Sequence, residues 1–237
     1  MVNHLKILQQ SVSDAVTHWC LAIDASLSMG FTDYPPTRLY AAQEAALAFL
    51  DLRARCAPND LVGLVAFAQQ ASICFGLAPP ATVKSALQQI EVAPWTNLTA
   101  GLDAAQSILL LPVPALPSKG LRGRIGQFFK GMRNDSHCAP HVQPRCRILL
   151  LSDGVDNVSP PGACVAVGQR IKNLGVEIDI VGIGGSRSQV NEAELMEIAS
   201  RDDQGRPRYQ FIGDKVNLIE AFKSKAIEVI DPPRRTA

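Results

Sequence analysis

Aromatic side chains, net charge and long apolar runs are all scarce in this chain, and each scarcity removes a class of protein. Phe, Trp and Tyr make up 5% of the residues while 47% are apolar. With strand-like and helix-like runs alternating, that balance points to a soluble α/β protein. A formal charge of +1 provides no overall attraction to nucleic acid or to a membrane surface. No apolar run approaches the roughly 18 residues that a membrane-spanning helix needs. Residues 1–15 carry His4, Lys6 and Asp14 and no continuous apolar core, so a secretory signal is not expected. The six cysteines (Cys20, Cys56, Cys74, Cys138, Cys146, Cys164) are scattered through a chain of 237 residues, too large to need staples. A reducing, cytoplasmic setting is the expectation, and a mature secreted form is its alternative.

Two nucleotide-binding signatures are missing as well. Gly182-Ile183-Gly184-Gly185-Ser186-Arg187 begins like a dinucleotide fingerprint, but Arg187 stands where the third glycine belongs. No G-x-x-x-x-G-K-[ST] phosphate loop occurs. The histidines (His4, His18, His137, His141) do not adjoin a Ser or Cys in a recognisable nucleophile motif.

What is present is a periodic chain. Strands are predicted over 16–23, 61–67, 71–75, 147–152, 176–183 and 208–212, and helices over 38–55, 83–90, 99–110, 163–174, 193–199 and 216–230. Leu39, Ala42, Ala46, Phe49 and Leu50 recur at helical spacing until Pro58-Asn59-Asp60 breaks the pattern. The Gln69-Gln70 connection is too short for a crossover, so the third strand must be antiparallel and belongs at an edge. This order predicts a doubly wound, mostly parallel six-stranded α/β sheet with one antiparallel edge strand and helices on both faces. The expected organisation is an arm or short helix over 1–15, one domain over 16–230 and a tail over 231–237.

A segment over 111–147 departs from the periodic pattern. It is rich in Pro and Gly, and from Pro117 to Arg147 it holds seven Lys/Arg against one Asp, a local charge of +6. Leu121, Ile125, Phe128, Phe129 and Met132 fall on one helical face among Lys119, Arg122, Arg124, Lys130 and Arg133. Such a basic amphipathic helix either packs on the domain's own surface or meets an acidic partner or anionic lipid. His137, Cys138, His141 and Cys146 could ligate zinc, although adjacent His137 and Cys138 fit one ion poorly. A Cys138–Cys146 disulfide and ordinary loop residues are the other readings.

The chemistry concentrates at Cys20-Leu21-Ala22-Ile23-Asp24-Ala25-Ser26-Leu27-Ser28, where an apolar run ends in one carboxylate and two hydroxyls at alternate positions. These are hard oxygen donors of the kind Mg²⁺ prefers. In a doubly wound sheet the crevice lies beyond the carboxyl ends of the strands where winding reverses. The predicted order places Asp24, after the first strand, and Asp153, after the fourth, on either side of it. The stretch Trp95-Thr96-Asn97-Leu98-Thr99-Ala100-Gly101-Leu102 adds a hydroxyl just before a helix.

These residues resemble the metal-ion-dependent adhesion site (MIDAS) of the von Willebrand factor type A (VWA) family: Asp-x-Ser-x-Ser, a Thr before a helix and an Asp-Gly after a central strand. Asp24, Ser26, Ser28, Thr96 and Asp153 match in order, and the resemblance covers roughly residues 17–230, with 111–147 as a departure. It implies a Rossmann-like fold and an Mg²⁺ site, with Mn²⁺ or Ca²⁺ as alternatives. Ser26, Ser28 and Thr96 would ligate directly, with one Asp direct or both acting through water. Thr99 is a competing candidate for the hydroxyl, although it could instead cap the helix, and the position of Thr96 relative to Gly101 favours Thr96. Neutral hydroxyl ligands leave the ion electron-poor and open to an Asp or Glu of a protein partner. By the same resemblance, intracellular members serve multiprotein complexes alongside AAA+ ATPases. A non-enzymatic, metal-dependent protein-binding module is the leading expectation. A metal-dependent hydrolase at the same site is the second reading, although no general base is evident; Asp156 reads as loop solvation. A vestigial site with the basic insertion as working surface is the third.

Overall fold

The computed structural model describes residues 16–110 and 143–228. The 1–15 arm, the 231–237 tail, the 119–133 helix and the His137, Cys138 and His141 positions lie outside them. Strands β1 (Thr17–Asp24), β2 (Leu61–Phe67), β3 (Ala71–Ala78), β4 (Arg145–Ser152), β5 (Glu177–Ile183) and β6 (Tyr209–Ile212) form one sheet in the order β3-β2-β1-β4-β5-β6. Every pair is parallel except β2–β3, as the two-residue connection requires. Winding reverses between β1 and β4, which puts the carboxyl ends of these two strands at the switch point.

Helices α1 (Arg38–Cys56), α2 (Pro80–Leu87) and α6 (Lys215–Ile227) cover one face. Helices α3 (Leu98–Leu110), α4 (Ala163–Asn173) and α5 (Glu192–Ile198) cover the other. Period-2 alternation in the central strands feeds both layers. In β1, Trp19, Leu21 and Ile23 join Ala42, Phe49, Leu87, Leu218 and Phe222 in one core. Cys20 and Ala22 join Leu102, Ile148, Leu150, Ile171 and Leu195 in the other. Burial of each large aliphatic side chain contributes roughly 1.5–3 kcal/mol, so two dry layers make the sheet a rigid base for the loops at its end.

Several boundaries depart from the sequence expectation. The helix expected over 83–90 runs from Pro80 to Leu87, because proline suits the first helical turn, where its missing N–H has no acceptor to lose. The edge strand reaches Ala78, and α6 ends at Ile227. Strand β4 begins at Arg145, so two cations assigned to the 111–147 insertion are strand residues, and Arg147 is fully buried. No helix among the described residues is long and apolar enough to cross a membrane.

Candidate functional site

Three loops at the carboxyl end of the sheet are laced together by backbone hydrogen bonds. Ala25 N–H donates to Phe67 O (2.8 Å), Ala93 N–H to Ala25 O (2.8 Å) and Asn97 N–H to Ala68 O (2.7 Å). They enclose an open cavity of about 490 Å³ lined by Ser26, Leu27, Ser28, Pro94, Trp95, Thr96, Asp153, Val155 and Asn157. Four of the five residues singled out in the sequence line it, and the fifth, Asp24, lies beneath.

Asp24 ends β1 at 0% exposure. One carboxylate oxygen accepts the Ser26 N–H (2.8 Å) and the other accepts the Ser152 hydroxyl (2.6 Å). Burial and the neighbouring Asp153 push its carboxyl up to about 6, against the pull of the Ser152 and Ser26 hydrogen bonds. Ser26 Oγ and Ser28 Oγ lie 3.0 Å apart in the single 3₁₀ turn that follows β1. Asp153 follows β4, and its carboxylate accepts the Val155 N–H at 3.3 Å. The next residue, Gly154, has φ +74°, and a Cβ there would meet Leu195 Cγ at 2.6 Å. Only glycine lets the chain turn that sharply against α5 while leaving Asp153 at the cavity.

The loop before α3 separates the two threonines. Thr96 lines the cavity, and it is fixed by a reciprocal pair: its N–H donates to Asn157 Oδ1 (2.8 Å) and Asn157 N–H donates to its carbonyl (3.1 Å). Among the described residues its hydroxyl makes no hydrogen bond. Thr99 lies inside α3, outside the cavity lining, and its hydroxyl is buried. Neither is the cap, since Asn97 Oδ1 accepts the Ala100 N–H at 2.8 Å.

Asp156 corrects the loop-solvation expectation. Its carboxylate accepts the N–H groups of Leu98 (2.9 Å), Val158 (3.0 Å) and Ser159 (2.8 Å). Burial disfavours its charge, but the Ser159 and Val158 N–H groups outweigh that and lower its carboxyl below the usual range. The charge sits at the amino end of α3 and ties the loop after β4 to that helix. The close seat of α3 depends on Gly101, where a Cβ would lie 2.6 Å from the Phe67 ring.

Residues with no motif of their own complete the surroundings. Arg38, 2% exposed, is held by Asp33 (2.8 Å from Nε) and by Gln189 (3.0 Å), and brings Nη1 within 3.9 Å of Asp153. Tyr34, fully buried, donates its hydroxyl to the Ile212 carbonyl. Both tie the β1–α1 loop to the ends of β5 and β6. Trp95 has φ 66°, in the left-handed region. There a non-glycine residue is disfavoured by about 1–3 kcal/mol.

A family model for the von Willebrand factor type A domain matches residues 20–155, more than half of the chain, a range that includes Asp24, Ser26, Ser28, Thr96 and Asp153. The chain belongs to the VWA family. Among curated relatives, a UPF0353 protein from Mycolicibacterium paratuberculosis is 32% identical over 69% of this chain and 43% of its own. Another from Mycobacterium sp. strain KMS is 28% identical over 88% of this chain and 55% of its own. The chain thus spans about half the length of the curated relatives it matches. The VWA fold recurs in a VWA protein from Catenulispora acidiphila (TM-score 0.64, 21% identity, covering 90% of this chain and 42% of that one). It recurs also in the SpRpn10 VWA domain (TM-score 0.61, 19% identity, 89% and 95%).

Proposed function

We propose that this VWA domain is a divalent-metal-dependent protein-binding module, with Asp24, Ser26, Ser28, Thr96 and Asp153 as its cation site. The observation that carries the reading is that three hydroxyls and one carboxylate from three separate loops line one open cavity, with a second carboxylate, Asp24, buried beneath them and hydrogen-bonded to the Ser26 N–H. The donor set fits a hard cation. Asp24 is buried next to a second carboxylate, the Thr96 hydroxyl is unengaged, and the two serine hydroxyls sit side by side. A divalent ion held there supplies an electrophilic position that a partner's Asp or Glu carboxylate can fill.

The chain's own residues do the rest. Ser152 and the Ser26 N–H orient Asp24, Asn157 fixes Thr96, Gly154 turns Asp153 toward the cavity, and Arg38 offsets part of the Asp153 charge. The partner belongs to a multiprotein assembly in this reading, an AAA+ ATPase complex being one candidate. Among the described residues no histidine lines the cavity, and Asp156 is committed to backbone N–H groups. Among the described residues none outside the proposed cation ligands stands ready there as a general base, so binding is favoured over hydrolysis.

Binding of Mg²⁺ to the folded state alone stabilises it by about 2.7 kcal/mol at a hundredfold excess over Kd. The test is thermal unfolding with Mg²⁺ and with EDTA, beside capture of partners from the native organism under both conditions. A rise in Tm with Mg²⁺, lost with EDTA and in Asp24→Ala and Thr96→Ala, is expected together with loss of capture. Capture that survives chelation and both substitutions would overturn the reading.

A further inference from the structure

The walls of the cavity differ from its floor. Above the hydroxyls and carboxylates stand Leu27 (61% exposed), Trp95 (55%) and Val155 (47%), with Pro94 beside them. Among the described residues Asp153, at the floor, is the only charged one in the lining. A cavity of about 490 Å³ is far larger than a carboxylate requires and falls in the range that holds a ligand of several residues' bulk. Trp95 holds a large apolar ring in water on a backbone conformation that tryptophan disfavours. The loop that imposes this conformation also fixes Thr96, the next residue, so the ring is carried at a set distance from the floor. A disfavoured backbone at a binding rim is a reason to ask what the exposed ring meets.

We infer that the domain selects an acidic residue flanked by bulky apolar side chains in an exposed peptide segment, the carboxylate going to the floor and the flanking side chains to Trp95, Leu27 and Val155. This rests on the proposed cation at the floor, which alone makes the cavity complementary to a carboxylate. Apart from Asp153, the lining has no charge among the described residues for a polar flank to pair with, so charged neighbours of the acidic residue would lose water without gaining a partner. Aromatic and aliphatic neighbours gain the burial instead, and a rigid tryptophan is the side chain best suited to anchor them.

The experiment pans a random linear peptide library displayed on phage against the intact chain in Mg²⁺, with EDTA elution. Enriched peptides are then measured as synthetic peptides. Expected is an Asp or Glu with Trp, Phe, Leu or Ile within two positions, and affinity lowered tenfold or more by Trp95→Gly. That substitution removes the ring and the disfavoured conformation together, so Tm holds or rises and the Mg²⁺ shift in Tm persists. Val155→Thr keeps the shape and removes apolar surface, and lowers affinity a few fold; it decides the matter if Trp95→Gly unfolds. EDTA-sensitive peptides whose acidic residue has polar or charged flanks, bound equally by the wild type and both variants, would overturn this inference while leaving the metal reading intact. Peptides retained in EDTA, or no enrichment above a chain unfolded in urea, would overturn it together with that reading.

Discussion

Asp24 and Asp179 both lie in central strands at 0% exposure, one at the carboxyl end of β1 and the other near the amino end of β5. Asp179 is surrounded by cations: Arg147 at 2.6 Å, Lys225 at 2.7 Å and Arg208 at 2.9 Å. Burial alone would raise its carboxyl, but Arg147, Lys225 and Arg208 more than reverse this and lower it. Around Asp24 there are hydroxyls, an N–H group and a second carboxylate, and its carboxyl rises to about 6. Two carboxylates with the same exposure are thus shifted in opposite directions by what the chain places beside them. At the amino end the protein carries its own countercharge. At the carboxyl end, among the described residues, only Arg38, 3.9 Å from Asp153, offsets part of the charge. In the proposed function, the cation is to Asp24 what the three basic side chains are to Asp179.

Substitution can break this comparison in both directions. The largest effect is expected for Asp179→Ala, which removes the fully buried carboxylate of the cluster, leaves Arg147, Lys225 and Arg208 to share the partly exposed Glu228, and destabilises by about 3–5 kcal/mol, read from urea unfolding. A loss below about 1 kcal/mol would mean that water already screens the cluster. Asp24→Asn has the opposite sign. In EDTA it removes a buried, raised-pKa carboxylate while its amide can still serve Ser152 and Ser26, and stability rises by about 1–2 kcal/mol. In Mg²⁺ the same variant gains nothing further, so the order of the two proteins narrows or reverses. A metal-free Asp24→Asn weaker than wild type would show that the two hydrogen bonds outweigh the buried charge.

The smallest effect lies in the pH profile. A carboxyl raised in the folded state makes that state bind more protons than the unfolded chain between the unfolded value, about 3.9, and the folded value. The contribution of Asp24 is therefore full below the unfolded value and is lost as pH rises through about 6. From pH 5 to pH 7 in EDTA the wild type loses about 1 kcal/mol that Asp24→Asn does not lose. Asp179 works the other way, since its lowered carboxyl stabilises above the unfolded value and gives this up as pH falls through the folded one. Parallel unfolding curves for wild type and Asp24→Asn at both pH values would contradict the origin assigned to the Asp24 shift.

The sheet was legible because its determinants are local. Continuous apolar strands, helical periodicity and one very short connection leave a single winding order, and from that order Asp24 and Asp153 come together without any contact being known. The five motif residues declare themselves by spacing in the same way. The residues that position them do not. Ser152, Asn157 and Arg38 act across 128, 61 and 115 residues of chain, and a lone Ser, Asn or Arg has no periodic signature. Asp156 looked like solvent-facing loop because its tie to α3, through the N–H groups of Leu98 and Thr99, crosses to a helix start far away in sequence, while its other partners, Val158 and Ser159, are its own loop neighbours. The cations of β4 were miscounted for a related reason. The expected strand opened at Arg147, so Arg145 and Cys146 read as the end of a basic loop, and nothing marks Arg147 as buried until Asp179 is found beside it.

The chain's two tryptophans are divided between the two ends of the sheet. Trp19 is wholly buried between guanidinium groups, Arg147 at 4.5 Å and Arg53 at 5.5 Å from its ring, while Trp95 stands in water at the mouth of the cavity. Two emission bands are the expected consequence: the buried indole to the blue, registering global unfolding, and the exposed one to the red, registering any ligand that covers the mouth. Each end of the molecule reports on itself without an added label.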